Sequence, residues 1–220
     1  EIEKGRLSFR LTTPYSEERR RAASEQAKQN SVIIDPGHGG SDPGAVYGNR
    51  REKDDTLALS YDIGNALERR GVRVEYTRVG DVYNSPYEKA EIGNRSAADL
   101  FLSIHRNAMP VPGTGSGTMS LIFGRGGDAE TFAKNINKEL AKTGWKDLGI
   151  SERPNLVVLR DTALPAVLVE VGFIDNENDN DFFDANMRQT ADAIADGIVR
   201  TFAEQEKQTS DVEEPGFYMV

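Results

Sequence analysis

Three short apolar segments, each leading to a titratable side chain, constrain the fold of this chain most strongly. Residues 31–35 precede His38, residues 100–104 precede His105, and residues 166–169 run directly into Glu170. Short runs rich in Val, Ile and Leu are typical of strands buried on both faces of a sheet. Because functional groups of open α/β sheets collect beyond the carboxyl ends of the strands, we expect both imidazoles and the carboxylate at one edge.

Helical and strand-like periodicities alternate along the rest of the chain, which is the pattern of a layered α/β fold. The further predicted elements are a helix capped by Asp54 or Asp55 and ending near Gly71, a strand at 72–76, a helix at 86–97, a strand at 118–123, a helix at 128–142, a strand at 156–159 and a helix around 194–202. We therefore predict three layers: a mostly parallel, mixed central sheet flanked by helices on both faces.

The length of 220 residues predicts one domain with a sizeable core. We place this domain at 31–203, after a charged lead-in at 1–30 and before a flexible acidic tail at 204–220. The net charge of -9 argues against nucleic acid as a partner. No apolar run approaches the roughly 20 residues of a transmembrane helix, and no signal segment is recognisable in these residues.

The chain has no cysteine, so any metal must be held by imidazole and carboxylate groups. These groups suit zinc, which in catalytic sites has about three protein ligands and an open position. His38 and His105 supply two nitrogens. The third ligand is a carboxylate near the same edge, and spacing alone leaves four alternatives: Glu52, Asp42, Asp54 and Asp55.

Glu170 is the candidate for moving protons during hydrolysis, since an acidic residue that ends an apolar strand is costly to bury. Other interpretations stay open for these residues. Either histidine alone is structural in many folds, Glu52 also fits a first-turn acid of a helix, and Glu170 also fits a buried ion pair. The Gly-rich run at 37–44 lacks the Gly-Lys-Ser/Thr ending of a phosphate loop.

Four motifs in a fixed order make the chain resemble a known family. They are Val32-Ile-Ile-Asp-Pro-Gly-His-Gly-Gly40, Glu52-Lys-Asp54, Leu102-Ser-Ile-His-Arg-Asn-Ala108 and Leu164-Pro-Ala-Val-Leu-Val-Glu-Val-Gly-Phe-Ile-Asp-Asn176. The chain resembles the zinc-dependent N-acetylmuramoyl-L-alanine amidases of bacterial cell-wall turnover, the type-3 family. The resemblance covers about residues 31–203.

This resemblance implies that His38, Glu52 and His105 hold one zinc ion and that Glu170 is the catalytic acid/base. It implies an extracytoplasmic enzyme, secreted or associated with the cell wall, whose partner is peptidoglycan. The implied reaction hydrolyses the amide between the lactyl group of N-acetylmuramic acid and L-alanine of the stem peptide. A zinc peptidase acting on stem-peptide bonds and a catalytically silent wall-binding module are the alternatives.

The chain departs from the family pattern at two positions near the inferred cleft. Arg106 stands where alanine is frequent, and Lys89 stands where arginine is usual. Together with Asn107 they are candidate substrate contacts, although a loop hydrogen-bonding role for Arg106 and Asn107 and a solvated helix face for Lys89 are alternatives. Some relatives carry a long helical insertion over the zinc. The short run 124–127 predicts an open site here, with no activator required, unless the lead-in docks over it.

Overall fold

The computed structural model describes residues 2–3, 6–7 and 30–213. The strands are β1 (Ile2–Glu3), β2 (Arg6–Leu7), β3 (Ser31–Pro36), β4 (Val46–Tyr47), β5 (Arg50–Arg51), β6 (Arg73–Tyr76), β7 (Leu100–Asn107), β8 (Thr118–Ile122), β9 (Asp147–Glu152) and β10 (Ala166–Phe173). The helices are α1 (Glu52–Glu68), α2 (Pro86–Arg95), α3 (Asp128–Lys142), α4 (Val157–Arg160) and α5 (Glu177–Glu213).

Six of the strands form one mixed sheet in the order β6-β3-β7-β10-β8-β9. The first four are parallel, whereas β8 pairs antiparallel with β10 and parallel with β9. In this register Leu102 lies opposite Ile34 on one side and Val167 on the other, and His105 lies opposite Glu170. The predicted mixed, mostly parallel sheet is confirmed, and the carboxyl ends of β3, β7 and β10 share one edge.

Side-chain alternation along the central strands builds a separate core on each face of the sheet. On one face Leu102 and Val169 pack with residues of α1, α3 and α5, among them Phe132 and Phe183. On the other face Phe101 and its neighbours pack with residues from α2 and α4 in a smaller cluster. Burial of each large apolar side chain contributes about 1.5–3 kcal/mol, so these two cores hold the strand ends in place.

Two elements differ from the sequence prediction. The strand predicted at 156–159 is wrong: Val157–Arg160 is one helical turn, in which Val158 and Leu159 are buried in the smaller core. A short apolar run does not by itself distinguish a strand from a buried helical turn. The prediction also missed β9, because this edge strand is polar and half-buried and contains a glycine at φ 82°.

The start of α1 also differs from the prediction. The helix begins at Glu52, and Arg51 occupies the N-cap position without a side-chain cap. The predicted caps, Asp54 and Asp55, lie in the first turn instead, where their negative charges favour the helix dipole. As a result Glu52 is the first helical residue and projects from the end of α1 that faces the loop after β3.

The two terminal segments are only partly described. The final helix, which contains a non-helical residue at Asn186, continues to Glu213, so the predicted flexible tail is helical from residue 204 to residue 213. The predicted charged lead-in at 1–30, and its docking over the cleft, fall mostly on residues outside the described ones. The exceptions are the paired strands β1 and β2 and residue 30. Within residues 30–213, no helix is long and apolar enough to cross a membrane.

Candidate active site

Three elements bring His38, Glu52 and His105 together at the carboxyl edge of the sheet. His38 lies in the loop after β3, Glu52 begins α1, and His105 lies near the end of β7. One ligand atom from each residue lies within 4.8 Å of the others. The two imidazole rings meet edge to face, with their centroids 4.8 Å apart. Of the four carboxylates that spacing had left open, Glu52 is the one that lies with both histidines in a group that could hold a metal ion.

The loop conformation directs one ring nitrogen of His38 at Glu52 and the other at Asp42. His38 has a φ of 59°, which is rare for a residue with a side chain. Its Nε2 lies 3.1 Å from Glu52 Oε2, and its Nδ1 lies 2.8 Å from Asp42 Oδ2. Asp42 is thus a hydrogen-bond partner behind the imidazole, in the position that orients a metal-binding histidine.

The carboxylate of Glu52 is buried and accepts hydrogen bonds at both oxygens. Oε1 lies 2.8 Å from His105 Nδ1 and accepts a bond from the Arg106 backbone N–H, while Oε2 accepts one from the Ala45 N–H. Burial raises the pKa of this carboxyl, but the bonds and charges of His105 and His38 outweigh burial and hold its pKa well below the usual range. Glu52 is therefore an anion between two imidazoles.

This donor set fits a divalent cation of the zinc type. Two imidazole nitrogens and an ionised carboxylate converge on one point, and the side chains of His38 and His105 keep 23% and 18% of their surface exposed. Burial lowers the pKa of His38, but Glu52 and then Asp42 outweigh burial and raise it. The same negative charge that attracts a proton to His38 attracts a metal ion.

Glu170 lies beside this cluster in a very different environment. Its position in β10 is opposite His105 of β7 and Met119 of β8. The Oε2 atom is buried and has no hydrogen-bond partner among the described residues. Burial raises the pKa of Glu170 to about 7, with the charge of Glu52 adding to the rise and His105 opposing it. This carboxyl is poised to gain or lose a proton near neutral pH.

The three candidate substrate contacts occupy different places. Lys89 and Arg106 are only 4% and 2% exposed, and both are engaged inside the protein. Lys89 Nζ donates to Asp35 Oδ1 at 2.8 Å, and Arg106 Nη1 donates to Asp55 Oδ2 at 2.6 Å. Burial and these partners argue against direct substrate contact for both residues, and they also exclude the solvated face proposed for Lys89.

Asn107 stays a candidate contact. It ends β7 and is partly buried, with its Nδ2 3.6 Å from the Met119 sulfur. The remaining acids considered as ligands are paired elsewhere, because Asp54 binds Arg51, and Asp55 binds Arg50 and Arg106.

Sequence reasoning missed one buried residue at the site, Arg78. It follows β6 and donates to the carbonyls of Pro36 and Gly37, directly before His38. The available signal was its position just beyond the carboxyl end of a predicted parallel strand, at the same edge as the other site residues.

The fold and this site together define a class: an α/β domain that presents two imidazoles and an ionised carboxylate, with a second, protonatable carboxyl beside them. This arrangement is typical of metal-dependent hydrolases. The family model described as N-acetylmuramoyl-L-alanine amidase matches residues 32–200. The chain belongs to this family, so it is a hydrolase of the amide bond between N-acetylmuramic acid and L-alanine in peptidoglycan.

Individual relatives agree with this assignment. The chain is 37% identical over 177 residues to the N-acetylmuramoyl-L-alanine amidase CwlM of Bacillus licheniformis, covering 78% of this chain and 68% of CwlM. It is similar to the solved catalytic domain of CwlV, an N-acetylmuramoyl-L-alanine amidase from Bacillus (Paenibacillus) polymyxa var. colistinus, at 31% identity and a TM-score of 0.73, covering 80% of this chain and 99% of that domain.

Cwp6 from Clostridium difficile shows that this domain also occurs within a longer protein. Its solved structure matches at 35% identity and a TM-score of 0.75, over 81% of this chain. The match spans only 30% of the Cwp6 chain.

Proposed function

We propose that His38, Glu52 and His105 hold one zinc ion and that Glu170 is the general acid/base of the amidase reaction. One observation carries this proposal: two imidazoles converge on the ionised Glu52, while the adjacent Glu170 has a buried oxygen without a hydrogen-bond partner in the described part of the chain. A hydrolytic site needs these two kinds of carboxyl, one that stays charged and one that exchanges a proton.

Bound zinc supplies Lewis-acid polarisation of the substrate carbonyl and lowers the pKa of a bound water toward about 7. The chain's own residues provide the rest. Glu52 offers a fixed anionic oxygen because the N–H groups of Ala45 and Arg106 hold its carboxylate in place. Asp42 Oδ2 holds His38 Nδ1, which leaves His38 Nε2 directed at the centre of the cluster.

Glu170 carries the proton. The reaction breaks the bond between the lactyl carbonyl carbon and the alanine nitrogen, and the water oxygen becomes bonded to that carbon. Glu170 accepts a proton from the water and donates it to the departing amine, which leaves as the free amino group of L-alanine. A pKa of about 7 serves both directions of transfer.

The substrate is peptidoglycan outside the cytoplasm of a bacterium, as the cell-wall amidases among the relatives suggest. We further propose that the site works without an activating partner. This proposal is supported by the short connection at residues 123–127 between β8 and α3, because no long segment that could cover the site is inserted there.

Mass spectrometry of products released from purified peptidoglycan tests the proposal. Zinc-loaded protein is expected to release stem peptides that begin at L-alanine and to leave peptide-free glycan, whereas a chelator-treated sample releases neither. Fragments cut within the stem would identify a peptidase instead. A complete lack of release, with zinc bound, would favour a wall-binding module or a requirement for an activator.

A further inference from the structure

Arg78 is a buried guanidinium group that bonds to the backbone around the candidate zinc site. It is 3% exposed. Its Nε donates to Pro36 O at 3.0 Å and its Nη1 to Gly80 O at 2.9 Å. Its Nη2 donates to Gly37 O and Lys53 O, both at 2.9 Å, and lies 3.2 Å from Thr56 Oγ1.

All of these acceptors are neutral, and Arg78 forms no salt bridge among residues 30–213. Burial lowers the pKa of this guanidinium, and the charges of Asp35 and Asp81 oppose the fall without direct contact. A buried cation is costly unless its N–H groups are hydrogen-bonded. Because the donors of a guanidinium have fixed directions, the acceptor carbonyls must occupy matching positions. The group therefore selects one arrangement of the surrounding backbone.

Four of the five acceptors belong to the two segments that carry His38 and Glu52, and the fifth, Gly80, lies in the same loop as Arg78. Pro36 and Gly37 immediately precede His38, and Lys53 immediately follows Glu52. The Thr56 hydroxyl also donates to Gly37 O at 2.9 Å. The Gly37 N–H in turn donates to Ile104 O, next to His105. One guanidinium thus connects the β3 loop to the first turn of α1, and Gly37 extends the connection to β7.

We infer that Arg78 is a positioning residue that fixes the spacing between His38 and Glu52 and so determines the affinity of the site for zinc. This inference rests on the proposed function. The hydrogen bonds that Arg78 makes with residues 30–213 go to four backbone carbonyls and the Thr56 hydroxyl, and none goes to a ligand side chain. Arg78 acts through the carbonyls on either side of the ligand residues, and the open side of the cluster stays free for substrate.

The test is zinc affinity of the metal-free protein, measured by competition with a chromophoric chelator and by the visible spectrum of bound Co²⁺. Arg78→Lys keeps the positive charge but replaces the planar guanidinium, whose N–H groups reach several carbonyls at once, with a single ammonium group. We expect zinc affinity to fall about tenfold or more, as is typical when the support of a metal ligand is removed. The Co²⁺ spectrum is expected to change, because the ligands no longer hold the same geometry.

Asn137→Ala is the matched control for a general loss of stability. Asn137 is also buried, and its carboxamide bonds Ser120, Asp147 and Gly149 of β8 and β9, which β10 separates from the strand that carries His105. It should lower the melting temperature and leave zinc affinity unchanged. Equal zinc affinity in Arg78→Lys and wild type, or an equal loss in Asn137→Ala, would overturn the inference.

If Arg78→Lys does not fold, Thr56→Val replaces it as the test. This variant removes a hydroxyl bonded to Gly37 and adjacent to Arg78, and it should weaken zinc binding severalfold; unchanged affinity would count against the inference. If wild-type protein fails to bind one zinc ion per chain, the proposed zinc site itself is wrong. If wild-type protein binds zinc and Arg78→Lys binds it equally well, only the inference about Arg78 is wrong.

Discussion

Two glutamates in one site differ in charge because their surroundings differ. Glu52 has a polar partner at both oxygens, and its pKa is held low despite burial. Glu170 has a buried oxygen with no hydrogen-bond partner within residues 30–213, and burial raises its pKa to about 7. The proposed division of roles, with Glu52 as ligand and Glu170 as acid/base, therefore rests on the hydrogen bonding of single atoms, which the local sequence does not encode.

Glu170→Gln tests this division. The amide has nearly the same shape but cannot exchange a proton, so turnover should fall by about 10²–10⁴-fold. Zinc content should stay at one ion per chain, because Glu170 is not a proposed ligand. The measurements are product release from peptidoglycan and metal analysis of the same sample. His105→Ala is the comparison variant and should lose zinc. Turnover near the wild-type rate in Glu170→Gln would contradict the acid/base role.

The complete set of proposed ligands, His38, Glu52 and His105, was predicted from the sequence only with the family motifs. Placement of His38 and His105 after apolar strands was enough to expect them at one edge, and the sheet register confirms the common edge. Spacing did not distinguish Glu52 from Asp42 as the third ligand. The difference depends on the loop conformation, in which His38 has a positive φ and Asp42 bonds to the Nδ1 atom of its ring. The burial of Lys89 and Arg106 was not evident from the sequence, because burial is a property of the packed fold.

At the scale of single elements, the loop between β3 and α1 is shaped by glycine. Gly44 has a φ of 67°, and a Cβ there would lie 2.5 Å from His38 Cδ2 and 2.6 Å from Glu52 Oε2. Gly48, in the same loop, has a φ of 58°, but a Cβ there would meet nothing within 4 Å. A side chain at either position would be strained by the positive φ. Only a side chain at Gly44 would also collide with His38 and Glu52.

Gly44→Ala should therefore weaken zinc binding strongly, whereas Gly48→Ala should not. Both variants should lose about 1–2 kcal/mol of stability from the left-handed backbone. The measurements are zinc affinity by chelator competition and the free energy of unfolding in urea. Equal zinc affinities in the two variants would show that the close packing of Gly44 does not control ligand placement.

A buried ion pair joins α2 to β3 beneath this loop. Lys89 Nζ lies 2.8 Å from Asp35 Oδ1, and Ser103 donates to Asp35 Oδ2. Burial raises the pKa of Asp35, but the charge and hydrogen bond of Lys89, with the bonds from Thr77 and Ser103, outweigh burial and lower it. Because the folded-state pKa lies below the unfolded value, this pair stabilises the fold at neutral pH, and the contribution is lost as pH falls below about 4.

Lys89→Met should thus destabilise the protein by about 3–5 kcal/mol at pH 7, since it leaves a buried carboxylate without its cation. The loss should shrink in acid, where protonation of Asp35 removes the uncompensated charge. Urea unfolding of wild type and Lys89→Met at several pH values provides the measurement. Lys89→Arg, which keeps the charge, is the control. A destabilisation that is independent of pH would indicate lost packing instead of lost charge.

Prediction of whole elements succeeded where the pattern was local. The amphipathic helix at 128–142 has the predicted bounds, and the strands leading to His38, His105 and Glu170 are present. The strand β9 was not predictable, because its polar residues become a strand only by pairing with β8 at the edge of the sheet. The single turn α4 likewise depends on a hydrophobic cluster that includes Ile33 of β3 and Phe101 of β7, which are distant in sequence.

At the scale of the whole molecule, the candidate zinc site joins parts of the chain that are far apart in sequence. His38, Glu52 and His105 belong to the β3 loop, α1 and β7, and α1 packs against α5 on the larger core. An ion held by all three binds only the folded chain, so it stabilises the entire domain and not one loop. We therefore expect folding and the proposed metal binding to be coupled through the central sheet.

Removal of zinc should lower the melting temperature. At zinc concentrations about 100-fold above the dissociation constant, binding contributes about 2.7 kcal/mol, which corresponds to a shift of roughly 5–10 °C for a domain of this size. Calorimetry with and without a chelator measures the shift. His38→Ala should melt at the same temperature in both conditions, because it lacks a ligand. A chelator effect of equal size in His38→Ala would place the stabilising ion elsewhere, since only an ion at this site requires that imidazole.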